Sequence, residues 1–175
     1  MKNQDYLYLD HAASTPMRKS AMDKYIEAES FGFANSSGGH KLSRNSKNLL
    51  EDSREVISEL FNSAPGEIIF TSGGTEADNW TIKSLFDSKI TNSNLVTSNI
   101  EHEAVLASAE WVSSNGFQTK YAKSDENGFV TKDEFIKQID DETIVASLMW
   151  GNNETGVIQP IKDISKELKL SLIHI

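Results

Sequence analysis

Apolar positions along the chain switch between helical and strand periods, and these switches outline an alternating series of elements. Met17, Ala21, Met22, Tyr25 and Ile26 share one helical face. Thr15 before Pro16 reads as a cap with proline in the first turn, so a helix is expected over 16–30. Residues 31–43 are dense in glycine, serine and asparagine, which suits a loop. Leu42, Leu49, Leu50, Val56, Ile57, Leu60 and Phe61 then recur at spacings of three, four and seven. That predicts a long amphipathic helix ending near Asn62, with its stripe in the core. Ile68, Ile69, Phe70 and Thr71 suit a short buried strand, broken by Ser72, Gly73 and Gly74. Thr75 opens a helix expected to turn Trp80, Ile82 and Leu85 inward.

The second half repeats the alternation. A strand is expected around residues 94–98, then a helix through Ala104, Val105, Ala107, Ala109 and Val112 that Gly116 ends. Residues 117–122 read as a strand, Asp125-Glu126-Asn127-Gly128 as a polar turn, and 130–139 as a short helix capped by Thr131. Residues 143–149 form a continuous apolar run, the kind buried on both faces of a parallel sheet, and a helix holding Ile161 and Ile164 follows. The series reads as an α/β fold with a mostly parallel sheet.

Composition narrows the classes. A chain of 175 residues with 38% hydrophobic and 25% charged content is globular, sized for one domain or part of one. The net charge of −9, with lysine and arginine scattered, argues against a nucleic-acid or anionic-membrane surface. No apolar run of about 18 residues and no signal-like start is visible, so neither a membrane span nor secretion is expected and the cytoplasm is the default. The absence of cysteine excludes disulfides and thiolate metal sites, and no metal site is assigned.

Candidate chemistry gathers at strand ends. The first turn of a helix leaves N–H groups unpaired and carries partial positive charge, so the turn at 72–75 can cradle a phosphate. Gly73 and Gly74 allow close approach, and the Ser72 and Thr75 hydroxyls can donate; the competing reading is an ordinary connection with Ser72 or Thr75 as N-cap. Read alone, His102 is a helix-start residue and Asn152-Asn153 a turn. Yet the strands expected before Ser72, Asn99 and Trp150 would all end in residues able to contact one ligand, and open α/β sheets bind ligands beyond the carboxyl ends of their strands.

The wording of these turns adds an identification. FTSGGTEADN at 70–79 resembles the cofactor-phosphate loop of the cysteine desulfurases, pyridoxal-phosphate enzymes of the class V aminotransferase group, particularly the NifS/IscS-like branch that supplies sulfur for iron-sulfur clusters. YLDHAAST at 8–15, NSSGGH at 35–40, IEHEAV at 100–105 and GNNETG at 151–156 match the same family in the expected order. The departures are His11 and Ser14 for asparagine and threonine, Ser36 for proline and Gly38 for serine. The resemblance implies an N-terminal arm over 1–15 and, over 16–169, the first part of a fold-type I PLP-dependent transferase large domain with helices on both sheet faces. It implies that Gly74 and Thr75 bind the phosphate of pyridoxal 5'-phosphate and that Asn153 holds its phenolic oxygen. His102 would be the catalytic residue of this stretch, stacked on the pyridine ring and able to move protons.

The implied activity is removal of sulfur from L-cysteine, giving L-alanine and an enzyme persulfide. The implied partners are a sulfur-acceptor or scaffold protein and a second copy of the enzyme in a homodimer, with no nucleic acid or membrane. In the family, the Schiff-base lysine, the acid facing the pyridinium nitrogen and the persulfide cysteine belong to motifs that would follow residue 169, so this stretch by itself is expected to be inactive. Residues 170–175 lack the usual Gly or Asn turn after Lys169 and are expected to be foreign to the protein. Three alternatives stay open: another class V enzyme such as a selenocysteine lyase or an aminotransferase, a non-catalytic truncated domain, or an unrelated nucleotide-binding domain.

Overall fold

The computed structural model describes residues 7–86 and 92–168, so the start of the expected arm and the expected foreign tail at 170–175 lie outside the described residues. The chain divides after Phe70 into two compact units.

In the first unit, helix α1 spans Lys19–Phe31 and helix α2 spans Lys41–Phe61. α1 starts three residues later than its proline suggested: Arg18 is the extended cap residue and Thr15 makes no capping bond. α2 is the expected long helix, entered through His40, whose Nδ1 accepts from the Ser43 amide (3.3 Å), and left through Asn62 in the left-handed region (φ 52°). Its stripe is not the expected core. Ser43, Ser46 and Ser58 are its buried residues, whereas Val56, Leu60 and Phe61 are more than half exposed. α1 buries none of its apolar face either. Period fixes which side chains share a face; what covers that face is a separate matter. Residues 68–71 form no strand, because a strand needs a ladder partner and none pairs with them among the described residues. The Arg54 guanidinium instead donates to the Ile68 carbonyl and lies 5.0 Å from the centre of the Phe70 ring.

The second unit is a layered α/β structure. Helix α3 (Gly74–Ser84) precedes strand β1 (Asn94–Ser98), helix α4 (Glu103–Ser114), strand β2 (Gln118–Ala122), helix α5 (Lys132–Ile136), strand β3 (Thr143–Ala146) and helix α6 (Ile161–Leu168). The three strands are parallel in the order β2-β1-β3. Central β1 is buried throughout, and its alternating side chains serve two cores. Leu95 packs with Ile82, Phe86, Val105, Ala109 and Val112 from α3, the chain just after it, and α4. Val96 packs on the opposite face with Ala122, Val130, Phe135 and Ile164. Helices therefore cover both faces. β3 is shorter and less buried than its apolar run predicted, because it lies beside β1 at one end of the strand order and has one ladder neighbour among the described residues. Of the three residues expected inside, Ile82 is buried, whereas Trp80 and Leu85 are 51% and 41% exposed; Phe86, just after the helix, is buried beside Ile82.

Polar groups at the sheet's entry end are largely paired. Asn94, fully buried, donates to the Asp140 carboxylate (2.8 Å) and accepts from the Thr143 hydroxyl (2.8 Å). The Lys120 ammonium, together with these bonds, holds the Asp140 carboxyl well below the usual range. Thr97, in the middle of β1, is different: its hydroxyl is buried with no partner among the described residues. Thr97→Val keeps the shape and removes the orphan oxygen, so it is expected to stabilise the unit by about 1 kcal/mol in urea unfolding. A loss of stability would mean that the hydroxyl has a partner after all.

Candidate functional site

The glycine turn begins the site. Gly73 and Gly74 lead into α3, whose first backbone bond runs from the Ala77 amide to the Gly73 carbonyl (3.1 Å). The amides of Gly74, Thr75 and Glu76 consequently have no acceptor among the described residues, and the space beside both glycines is open to 4 Å. The Thr75 hydroxyl has no partner among the described residues. Ser72, by contrast, is committed to the turn itself. Its amide (2.6 Å) and hydroxyl (2.7 Å) both donate to the Glu76 carboxylate, which those bonds, the backbone one foremost, hold below its ordinary value. Ser72 is thus turned to the Glu76 carboxylate, whereas Gly74 and Thr75 have donors without an acceptor among the described residues at a positive helix end.

At the exit of β1 the chain passes Ile100 and Glu101 before α4. Glu101 is 7% exposed, yet one carboxyl oxygen accepts from the Ser98 hydroxyl (2.7 Å) and from the Met149 amide (2.8 Å). It ties the end of β1 to the exit of β3. Burial pushes its carboxyl up to about 7, against the pull of those two bonds, and the Asp78 charge adds to the rise. His102 follows as the N-cap of α4, its Nδ1 accepting from the Ala104 amide at 3.1 Å.

Beyond β3 the chain folds back on itself over residues 150–159. The Gln159 amide bonds to the Trp150 carbonyl (2.8 Å) and the Asn152 amide to the Val157 carbonyl (2.9 Å), with Gly156 in the left-handed region (φ 73°). Asn152 is the hub of this turn. Its Oδ1 accepts from the amides of Glu154 (2.9 Å) and Thr155 (2.8 Å), and its Nδ2 donates to the Ile100 carbonyl (3.0 Å). Asn153 is exposed, and its side chain bonds to nothing among the described residues.

A cavity of about 420 Å³, within the usual range for small-molecule sites, lies at the exits of β1 and β3. Asp78, Glu101 and His102 line it together with residues 143–151, and Ile82, Ile161 and Ile164 supply apolar wall. Burial raises the Asp78 carboxyl above its ordinary value while the His102 charge opposes the rise. Of the four residues singled out from sequence, His102 lines the cavity directly. Thr75, beside Gly74, lies one helical turn before Asp78, and Asn153 lies two residues after Gly151, which also lines it. Glu101, Asp78 and Asn152 were missed. Only the acid-histidine pairing at 101–102 could have hinted at Glu101, since its role depends on strands 48 residues apart. The chemistry of these groups, open amides at a helix start, a flat imidazole on the cavity wall and an exposed carboxamide, fits a phosphate-bearing aromatic cofactor such as pyridoxal 5'-phosphate.

Comparison with known proteins agrees. The chain is 37% identical over 169 residues to the cysteine desulfurase IscS of Methanosarcina thermophila, covering 96% of this chain and 42% of that protein. Two solved structures superpose well: a NifS-like protein (TM-score 0.85, 31% identity, 94% of this chain and 47% of that one) and SspA in complex with cysteine (TM-score 0.83, 32% identity, 93% and 48%). The chain thus spans less than half the length of these relatives. The class-V aminotransferase family model matches residues 7–174, nearly the whole sequence, and with the α/β layering it establishes that this chain belongs to the class-V aminotransferase family.

Proposed function

We propose that the chain is the N-terminal part of a pyridoxal-phosphate-dependent cysteine desulfurase, with residues 16–169 belonging to its cofactor-binding domain and 170–175 foreign to it. The full-length protein would act on L-cysteine as a cytoplasmic homodimer, yield L-alanine and a persulfide, and pass the sulfur to an acceptor or scaffold protein for iron-sulfur clusters or other uses. The observation that carries this reading is the cavity that His102 shares with Asp78 of α3 and with residues 143–151 at the exit of β3, in a chain whose relatives bear that name.

When bound, the cofactor supplies the electron sink that labilises bonds at the substrate's α-carbon. The residues of this chain hold and orient it. Gly74 and Thr75 would hold the phosphate through backbone N–H groups, with the Thr75 hydroxyl as a further donor. The His102 ring would offer a flat face to the cofactor ring and could take part in proton movement. The Asn153 amide would donate to the phenolic oxygen, and Asn152 fastens the turn that carries it. Ile82, Ile161 and Ile164 would supply apolar contacts.

Pyridoxamine 5'-phosphate needs no lysine, so it probes this half-site directly. Titrated into the chain with tryptophan fluorescence as readout, it is expected to bind saturably, with affinity about tenfold lower in Thr75→Val. Equal affinity for pyridoxamine lacking its phosphate would sink the assignment of the 72–75 turn.

A further inference from the structure

We propose that His102 meets its ligand as a hydrogen-bond donor, its ring proton fixed on Nε2 because Nδ1 is consumed in capping α4. The inference rests on the reading of His102 as the cofactor-stacking residue and narrows what that residue can do. A backbone amide only donates, so the 3.1 Å bond from the Ala104 amide requires a lone pair on Nδ1. A neutral imidazole has one ring proton, which then resides on Nε2.

The surroundings hold the ring to this arrangement. His102 has the extended backbone of a cap residue (φ −60°, ψ 148°), and its carbonyl accepts from the amides of Val105 (2.9 Å) and Leu106 (3.1 Å). On one side Glu101 is buried and fastened to Ser98 and Met149; on the other, Ala104 and Val105 are in the core. The ring cannot swing away without uncapping the helix. Nε2 has no partner among the described residues, and the ring lines the cavity shared with Asp78 and Glu101. For Nε2 of neutral His102 to take up a proton from the ligand, the existing proton would have to move to Nδ1, where it would oppose the Ala104 N–H. Neutral His102 therefore does not serve as a base through Nε2. It offers a flat face and one donated bond, suited to an anionic or carbonyl oxygen of the ligand.

Long-range proton–nitrogen correlation spectra of the ¹⁵N-labelled chain, without cofactor, read the tautomer directly. His102→Asn, which keeps a capping acceptor, assigns the ring signals. The expected pattern is a protonated Nε2 and an unprotonated Nδ1. Exchange of the Ala104 amide is expected to be about fivefold faster in His102→Phe, which keeps a flat ring and loses the acceptor, than in the parent or His102→Asn. An Nδ1–H ring, averaged signals of both tautomers, or equal Ala104 exchange in all three proteins overturns the inference. If His102→Phe does not fold, the tautomer pattern of the parent decides alone. Failure of pyridoxamine 5'-phosphate to bind would count against the cofactor reading and leave these spectra unchanged, so the two results are read separately.

Discussion

Glu101→Gln is expected to stabilise the second unit at pH 8 by about 2–3 kcal/mol and to remove a decline in stability that the parent shows between pH 5 and 8. The folded protein holds this carboxyl up to about 7, above its ordinary 4.5. Between those values the folded state keeps a proton that the unfolded chain has lost. Stability therefore falls as pH rises through the window, and above about 7 the full cost of a buried charge is present. The gap converts to about 3 kcal/mol. Glutamine is neutral at every pH, and its carbonyl oxygen can still accept from Ser98 and Met149, so the tie between β1 and the exit of β3 survives. Urea unfolding at pH 5, 6, 7 and 8 checks this in both proteins. Trp80, Trp111 and Trp150, the chain's tryptophans, all lie beyond residue 70, so their fluorescence reports on this unit. Parallel pH dependence in parent and variant would show that the carboxyl is not the group responsible.

Phe135→Ala is expected to have the largest effect, a loss of about 3–5 kcal/mol. α5 is five residues long, too short to persist without tertiary contacts. Phe135, 2% exposed, packs with Val96, Ala122, Val130 and Ile164 and so joins α5 to the sheet and to α6. Thr131 caps the helix through the Glu134 amide (3.1 Å), but one cap of about 1 kcal/mol cannot replace that packing. The same core holds the Val130 amide against the buried Gln159 side chain (2.9 Å), so hydrogen exchange at Val130 should accelerate with the global loss. A change below about 1 kcal/mol would mean that the second core collapses around the missing ring far better than such sites usually do.

Both variants act where sequence and fold diverge most in what they disclose. The period of α2 was readable, yet Leu42, Leu50, Leu60 and Phe61 are exposed, because amphipathicity records a face that can be covered and not its cover. The run at 68–71 has the composition of a strand, but a strand exists only through its neighbour, and composition does not supply one. At 151–156 the paired asparagines were visible as a turn, and the structure divides their labour. Asn152 spends its side-chain oxygen on the turn and its amide group on Ile100, whereas Asn153 is exposed and its side chain bonds to nothing among the described residues. That division depends on which side chain faces the β1–α4 connection.

What the linear order determined by itself was local and periodic: the helix starts at Thr131 and His102, the glycine turn before α3, the strands expected at 94–98 and 117–122, and the family to which the motifs belong. These follow from backbone preferences and side-chain spacing within a few residues of each other, which any reading of the chain can reach. Folding alone decided that Glu101 would bridge two strand exits, that burial would lift its proton affinity, and that Asp78 would share its cavity. Desolvation and long-range hydrogen bonds depend on what surrounds a group in space, and the neighbours that matter here lie tens of residues away along the chain.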